Sequence, residues 1–141
     1  MEASSMDDLL TELFEFAFEH GIAVTTTHVL SKDTPSVSRP SKNAIIVNMN
    51  WHTKKEIPMQ FAHEIGHVLN EDKGTLYYCS TASHNSIEYG ASKTGIKVLV
   101  SLYFQNVSPD EANSNTFVKQ LAIPSYMEPY TEDCIREFYQ K

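Results

Sequence analysis

His63-Glu64-Ile65-Gly66-His67 lies in a run, Gln60 to Asn70, whose one charged residue is Glu64. Two histidines four apart can act on one object only if the chain between them is helical, because positions i and i+4 then share a face. On that helix Glu64 stands about 100° around the axis from His63. Phe61, Ile65, Val68 and Leu69 repeat at helical spacing and would seat the helix on a core. Pro58 suits the first turn, where its missing N–H is no loss. Gly66 costs about 1 kcal/mol relative to Ala in a helix interior, so a packing or site reason for it is expected. The competing view is a surface helix that happens to carry two histidines, and the apolar stripe argues against it.

H-E-x-x-H is the spacing by which two imidazoles hold one zinc ion while the glutamate reaches its water. Zinc then needs a third protein ligand and an open fourth position. One known arrangement places a third histidine six residues past the second, with glycine between. Here those places are Lys73 and Asn70, which excludes it. A glutamate on a following helix is the remaining common option. Glu88 is the best candidate. It opens a mostly apolar segment, Ile87 to Phe104, that reads as a helix, and Asp72-Lys73-Gly74 supplies a turn before it. Glu71, Asp72 and His84 are rivals, the first two following the motif too closely to swing back easily. Ser92, four residues after Glu88 and on its face, could hydrogen-bond the second nitrogen of a ligand histidine; equally, it could face solvent. Tyr77, Tyr78 and His84 are candidates for the donor that a developing oxyanion needs.

The remaining segments read as follows. Ser4 or Ser5 caps a first helix with Asp7 and Asp8 in its first turn, and Leu9, Leu10, Leu13, Phe14, Ala17 and Phe18 form its core face until Gly21 ends it. Ile22 to Leu30 is a strand. Ser31 to Lys42, with Pro35 and Pro40, is a loop or irregular crossing. Asn43 to Asn50 is a second strand. If it lies at a sheet edge it could hold an extended substrate, with Asn48 and Asn50 lining the groove or facing solvent. Lys73 to Asn85 is a polar connection. Ser108 caps a helix begun by Pro109 and broken at Pro124, and Glu128 to Tyr139 forms a last short helix.

A chain of 141 residues, 41% hydrophobic and 11% aromatic, suits one core and one domain over residues 1–141. The net charge of −7, with two arginines, disfavours direct nucleic-acid binding, which needs clustered cations. A basic partner or substrate segment is easier to accommodate. No run approaches the roughly 18 apolar residues of a membrane span. Met1 to Ser5 lacks an apolar signal core, and Cys79 and Cys134 form no C-x-x-C motif. A cytoplasmic protein with reduced thiols is therefore expected.

The chain resembles the ImmA/IrrE family of metallopeptidases, in particular its short prophage and mobile-element members. The resemblance rests on Phe61-Ala62-His63-Glu64-Ile65-Gly66-His67, on Glu88-x-x-Ala91-Ser92 opening a long helix, on Ile123-Pro124 after a further helix, and on an apolar strand directly before the motif. It spans roughly residues 5–130. It implies an α+β, zincin-like single domain with a small mixed sheet packed on the motif helix and further helices following. It also implies Zn2+ held by His63, His67 and Glu88, with Glu64 as the catalytic residue. The family often has Glu where Gly90 stands and Asn where Ser92 stands, departures that leave the ligands intact. Such family members act on helix-turn-helix repressors, so the resemblance implies an endopeptidase whose protein substrate is a transcriptional repressor of a phage or mobile element. A protein of another class would share these features: a zincin-scaffold binding protein that sequesters a regulator without cutting it. A purely structural metal suits the pattern less, because three ligands plus a positioned Glu fit an open site.

Overall fold

The computed structural model describes residues 5–78 and 85–140, so Ser4, Cys79 and His84 lie outside the described residues. Among the described residues, five α-helices and four strands make a small mixed α+β domain: α1 (Met6–Glu19), β1 (Ala23–Thr27), β2 (Val37–Arg39), β3 (Ala44–Asn48), α2 (Ile57–Leu69), β4 (Leu76–Tyr77), α3 (Ser86–Tyr103), α4 (Ser114–Gln120) and α5 (Glu128–Tyr139). The sheet order is β1-β3-β2-β4, with β1 parallel to β3 and the other two pairings antiparallel. No helix among the described residues is long and apolar enough to cross a membrane.

The motif helix α2 is the centre of the molecule. Every residue from Ile57 to Val68 is buried, as expected of a helix enclosed on all sides. It packs on β2 and β3, on α1, and most extensively on α3. The α2–α3 crossing explains the glycine inside the motif. A Cβ on Gly66 would lie 2.2 Å from the Ala91 carbonyl oxygen, and one on Gly95 would lie 2.6 Å from that of Ala62. Two glycines, one on each helix, thus let the backbones close on each other. That approach brings Glu88 and Ser92 of α3 over the histidines of α2.

Helix α1 is capped by Ser5, whose hydroxyl accepts a hydrogen bond from the Asp8 amide. Its buried face is Leu9, Leu10, Leu13 and Ala17. Phe18 does not belong to that face: it is 83% exposed, one position and about 100° past Ala17. Phe14 is half-buried, with its ring 5.0 Å from that of Phe61.

Three further expectations are corrected. Residues 31–42 are not wholly irregular, for β2 lies within them, paired on both sides. Strand β3 is interior, so it offers no free edge; the edges are β1 and β4. Asn48 and Asn50 accordingly line no substrate groove. The Asn48 amide is buried and donates to the Ser31 and Thr34 carbonyls, at 2.9 and 2.6 Å. Asn50 donates to the Leu30 carbonyl at 2.7 Å, and together they pin the crossing segment to the sheet. Ser108 and Pro109 start only a 3-10 turn, Pro109–Glu111, because Ala112 returns to extended backbone. The helix α4 begins after it, capped by Asn113, which accepts from the Thr116 amide at 3.1 Å.

Candidate metal centre

Helix α2 projects His63 and His67 from one face, and the first turn of α3 brings the Glu88 carboxylate across to both. Nε2 of His63 lies 2.9 Å from Glu88 Oε1, and Nε2 of His67 lies 3.1 Å from the same carboxylate. The three ligand atoms fall within 4.8 Å of one another, so this group could hold a metal ion. Both imidazoles are fully buried and the Glu88 side chain is 13% exposed, which leaves the group reachable from one side.

The outer nitrogens are held as well. Nδ1 of His63 is 2.8 Å from Ser92 Oγ, and Nδ1 of His67 is 2.9 Å from Asp72 Oδ2. Asp72 does come back towards the motif, but behind His67 rather than as a rival ligand. Glu71 enables the turn: at φ 57 it is left-handed, and the Asp72 amide then reaches the His67 carbonyl at 3.1 Å. A carboxylate only accepts hydrogen bonds, so His67 Nδ1 carries a proton. In the neutral ring, Nε2 then points a lone pair at the Glu88 carboxylate from 3.1 Å. Two acceptors then face each other, a conflict that a cation between them would relieve. A metal ion bonded to both removes the conflict, and this donor set fits one. Ser92 suits either state of His63, because a hydroxyl can donate to Nδ1 or accept from it.

The electrostatics favour ligand-competent forms. Burial pulls the His63 pKa below its ordinary value, so the imidazole is neutral. Burial alone would raise the Glu88 carboxyl, but the hydrogen bond from His63 and the facing imidazoles outweigh it and hold it below the ordinary range. Removing the outer partners should therefore weaken metal binding without touching a ligand. Ser92→Ala and Asp72→Ala are each expected to lose about 10- to 100-fold in zinc affinity, read by competition titration against a chromophoric chelator. Affinities within twofold of wild type would show that these side chains do not orient the rings.

Glu64 faces a different partner. Its Oε1 accepts from Ser38 Oγ at 2.7 Å, while Oε2 is buried with no hydrogen bond among the described residues. Burial pushes its pKa well above the ordinary carboxylate value, against the opposing pull of the Ser38 hydrogen bond. Gln60, one turn earlier, is fixed to the same strand region: its Oε1 accepts from the Ser36 amide at 3.0 Å, and its Nε2 is buried and unpartnered. Ser38 and Gln60 were not apparent from sequence. A serine in a three-residue strand between two prolines carries no periodic signal, and Gln60 reads as one more helix position.

Of the tyrosines considered for an oxyanion donor, Tyr77 is 55% exposed. The Tyr78 ring packs edge-on against His63, with centroids 5.1 Å apart. Compared with family models, curated proteins and solved structures, the chain matches none.

Proposed function

We propose that this chain is a zinc-dependent endopeptidase of the ImmA/IrrE type, built on a zincin-like fold. His63, His67 and Glu88 hold the ion and Glu64 is the general base. The observation that carries the reading is the pairing of two features on α2 and α3. Three ligand atoms converge within 4.8 Å, and a glutamate one residue from the first ligand keeps a buried oxygen unpartnered.

When bound, the ion supplies Lewis-acid activation of water and of the scissile carbonyl. The protein residues supply the rest. Ser38 occupies one Glu64 oxygen and so fixes the carboxylate plane, leaving Oε2 to take a proton from the attacking water. Glu64 then returns that proton to the leaving amine. A cation held beside it opposes the effect of burial and favours the ionised base. Asp72 and Ser92 hold the imidazoles in register. Tyr78, against His63, is the tyrosine assigned to the oxyanion side. The protein substrate is a transcriptional repressor in the cytoplasm, in line with the family resemblance and the acidic chain.

Metal binding tests the first requirement. One equivalent of zinc should bind metal-free protein, and at 100 times Kd it should stabilise the fold by about 2.7 kcal/mol. His67→Ala and Glu88→Ala should each weaken binding more than the about 10- to 100-fold expected for an outer partner. Calorimetry and metal analysis read this, and a protein that binds no zinc, or variants that bind it as tightly, would sink the proposal.

A further inference from the structure

A cleft of 270 Å3 opens beside the metal centre, lined by Glu56, Met59, Tyr78, Pro124, Ser125 and Tyr126 among others. Its position follows from three neighbours of the ligands. Met59 is one helical turn before His63 and on its face. Tyr78 packs on His63 itself. The Tyr126 ring lies 6.4 Å from that of Tyr89, the residue after Glu88.

We infer that this cleft is a subsite for an arginine or lysine side chain of the substrate. The inference rests on the proposed peptidase reading and supplies the substrate class that the reading lacks. The walls include two tyrosine rings and a proline, with Ala122 and Ser125 beside them, and the rings suit the aliphatic stem of a long side chain and the face of a cation. The polar end is the Glu56 carboxylate. Its one side-chain hydrogen bond among the described residues is from Trp51 Nε1 to Oε1 at 3.0 Å, which fixes its orientation and leaves the other oxygen to accept. Lys54, two residues earlier, makes no ion pair with it among the described residues, its ammonium donating instead to the Met49 and Trp51 carbonyls at 2.9 and 3.1 Å. The chain's net charge of −7 adds a field that draws cationic segments.

The test uses the zinc-supplemented Glu64→Gln protein, so that peptides are bound and not consumed. Fluorescein-labelled hexapeptides identical except for one central residue (arginine, norleucine or glutamate) are titrated by anisotropy. The arginine peptide should bind about tenfold tighter than the norleucine peptide, about 1.4 kcal/mol, and the glutamate peptide weakest. Adding Glu56→Gln keeps an acceptor for Trp51 and removes the charge. It should reduce the arginine preference to under about twofold while norleucine binding stays put. Tyr126→Ala should weaken the arginine and norleucine peptides together. Equal binding of arginine and norleucine, no binding of any peptide, or a preference unmoved by Glu56→Gln overturns the subsite. Zinc content and cleavage by the protein with Glu64 intact are measured separately. Their failure would count against the peptidase reading and leave the arginine preference to be read on its own.

Discussion

On the proposed reading, a Glu64→Gln variant is expected to cleave peptides about 10²- to 10⁴-fold more slowly than the wild-type chain while binding zinc as tightly. General-base catalysis contributes about 10²- to 10⁴-fold, and the amide cannot take a proton from water. The substituted amide keeps an oxygen for the Ser38 hydroxyl, so the local geometry survives. A proteome-derived peptide library, incubated with each zinc-loaded protein and read by mass spectrometry, supplies the comparison. Fragments from both at equal rates would remove Glu64 from the mechanism. A partner held equally by both proteins, with fragments from neither, would point to the sequestering protein instead. The same substitution should also stabilise the metal-free fold. Burial raises the Glu64 pKa in the folded state, so the folded chain holds the proton more tightly than the unfolded one. Wild-type stability therefore falls as pH climbs above the ordinary Glu value of 4.5 towards the raised one, and it is unaffected by this group below 4.5. The glutamine variant lacks that loss. Its advantage in thermal melts of metal-free protein should be present at neutral pH and vanish as pH falls towards 4.5.

What could be read in the chain beforehand follows a physical rule. The long amphipathic segments, α1, α2 and α3, announce themselves by periodicity, because each buries one face or more over at least three turns. Glu88 could be ranked first among possible third ligands because it opens such a segment. The legible parts end where pairing replaces periodicity. Strand β2 has three residues and exists because β3 and β4 flank it; nothing local distinguishes Val37-Ser38-Arg39 from loop. With it went Ser38, the hydrogen-bond partner of Glu64. Asp72 was visible as a nearby acid, but its role depends on Glu71 adopting a left-handed backbone, which no glycine or asparagine signalled. Phe18 misled for the opposite reason. Its type suggests core, yet its angular position one residue past Ala17 turns it to solvent.

Gly66→Ala should unfold this protein more than its one added methyl suggests, and Gly90→Ala should not. The Gly66 Cβ would meet the Ala91 carbonyl oxygen at 2.2 Å, its carbonyl carbon at 2.9 Å and its Cα at 3.1 Å. These are backbone atoms of α3, which cannot rotate aside, so the helices must separate. Overpacking of a close-packed interior costs about 1–3 kcal/mol, and a backbone clash sets the expectation at the upper end, about 3 kcal/mol. For a chain of this length that lowers the melting temperature by about 10 °C. Moving α3 outward also withdraws Glu88 and Ser92 from the histidines, so zinc affinity should fall in the same variant although no ligand is changed. Gly90 lies next to Ala91 on the same helix, but a Cβ there meets only the Asn70 amide nitrogen, at 3.8 Å. Alanine at that position gains helix propensity of about 1 kcal/mol and should raise the melting temperature by a few degrees. The pair separates two explanations for a glycine inside H-E-x-x-H. If Gly66→Ala melts within about 2 °C of wild type, the close approach of α2 and α3 is not what holds Glu88 over the site. If it melts far lower and loses zinc as well, the glycine is the reason the third ligand can arrive.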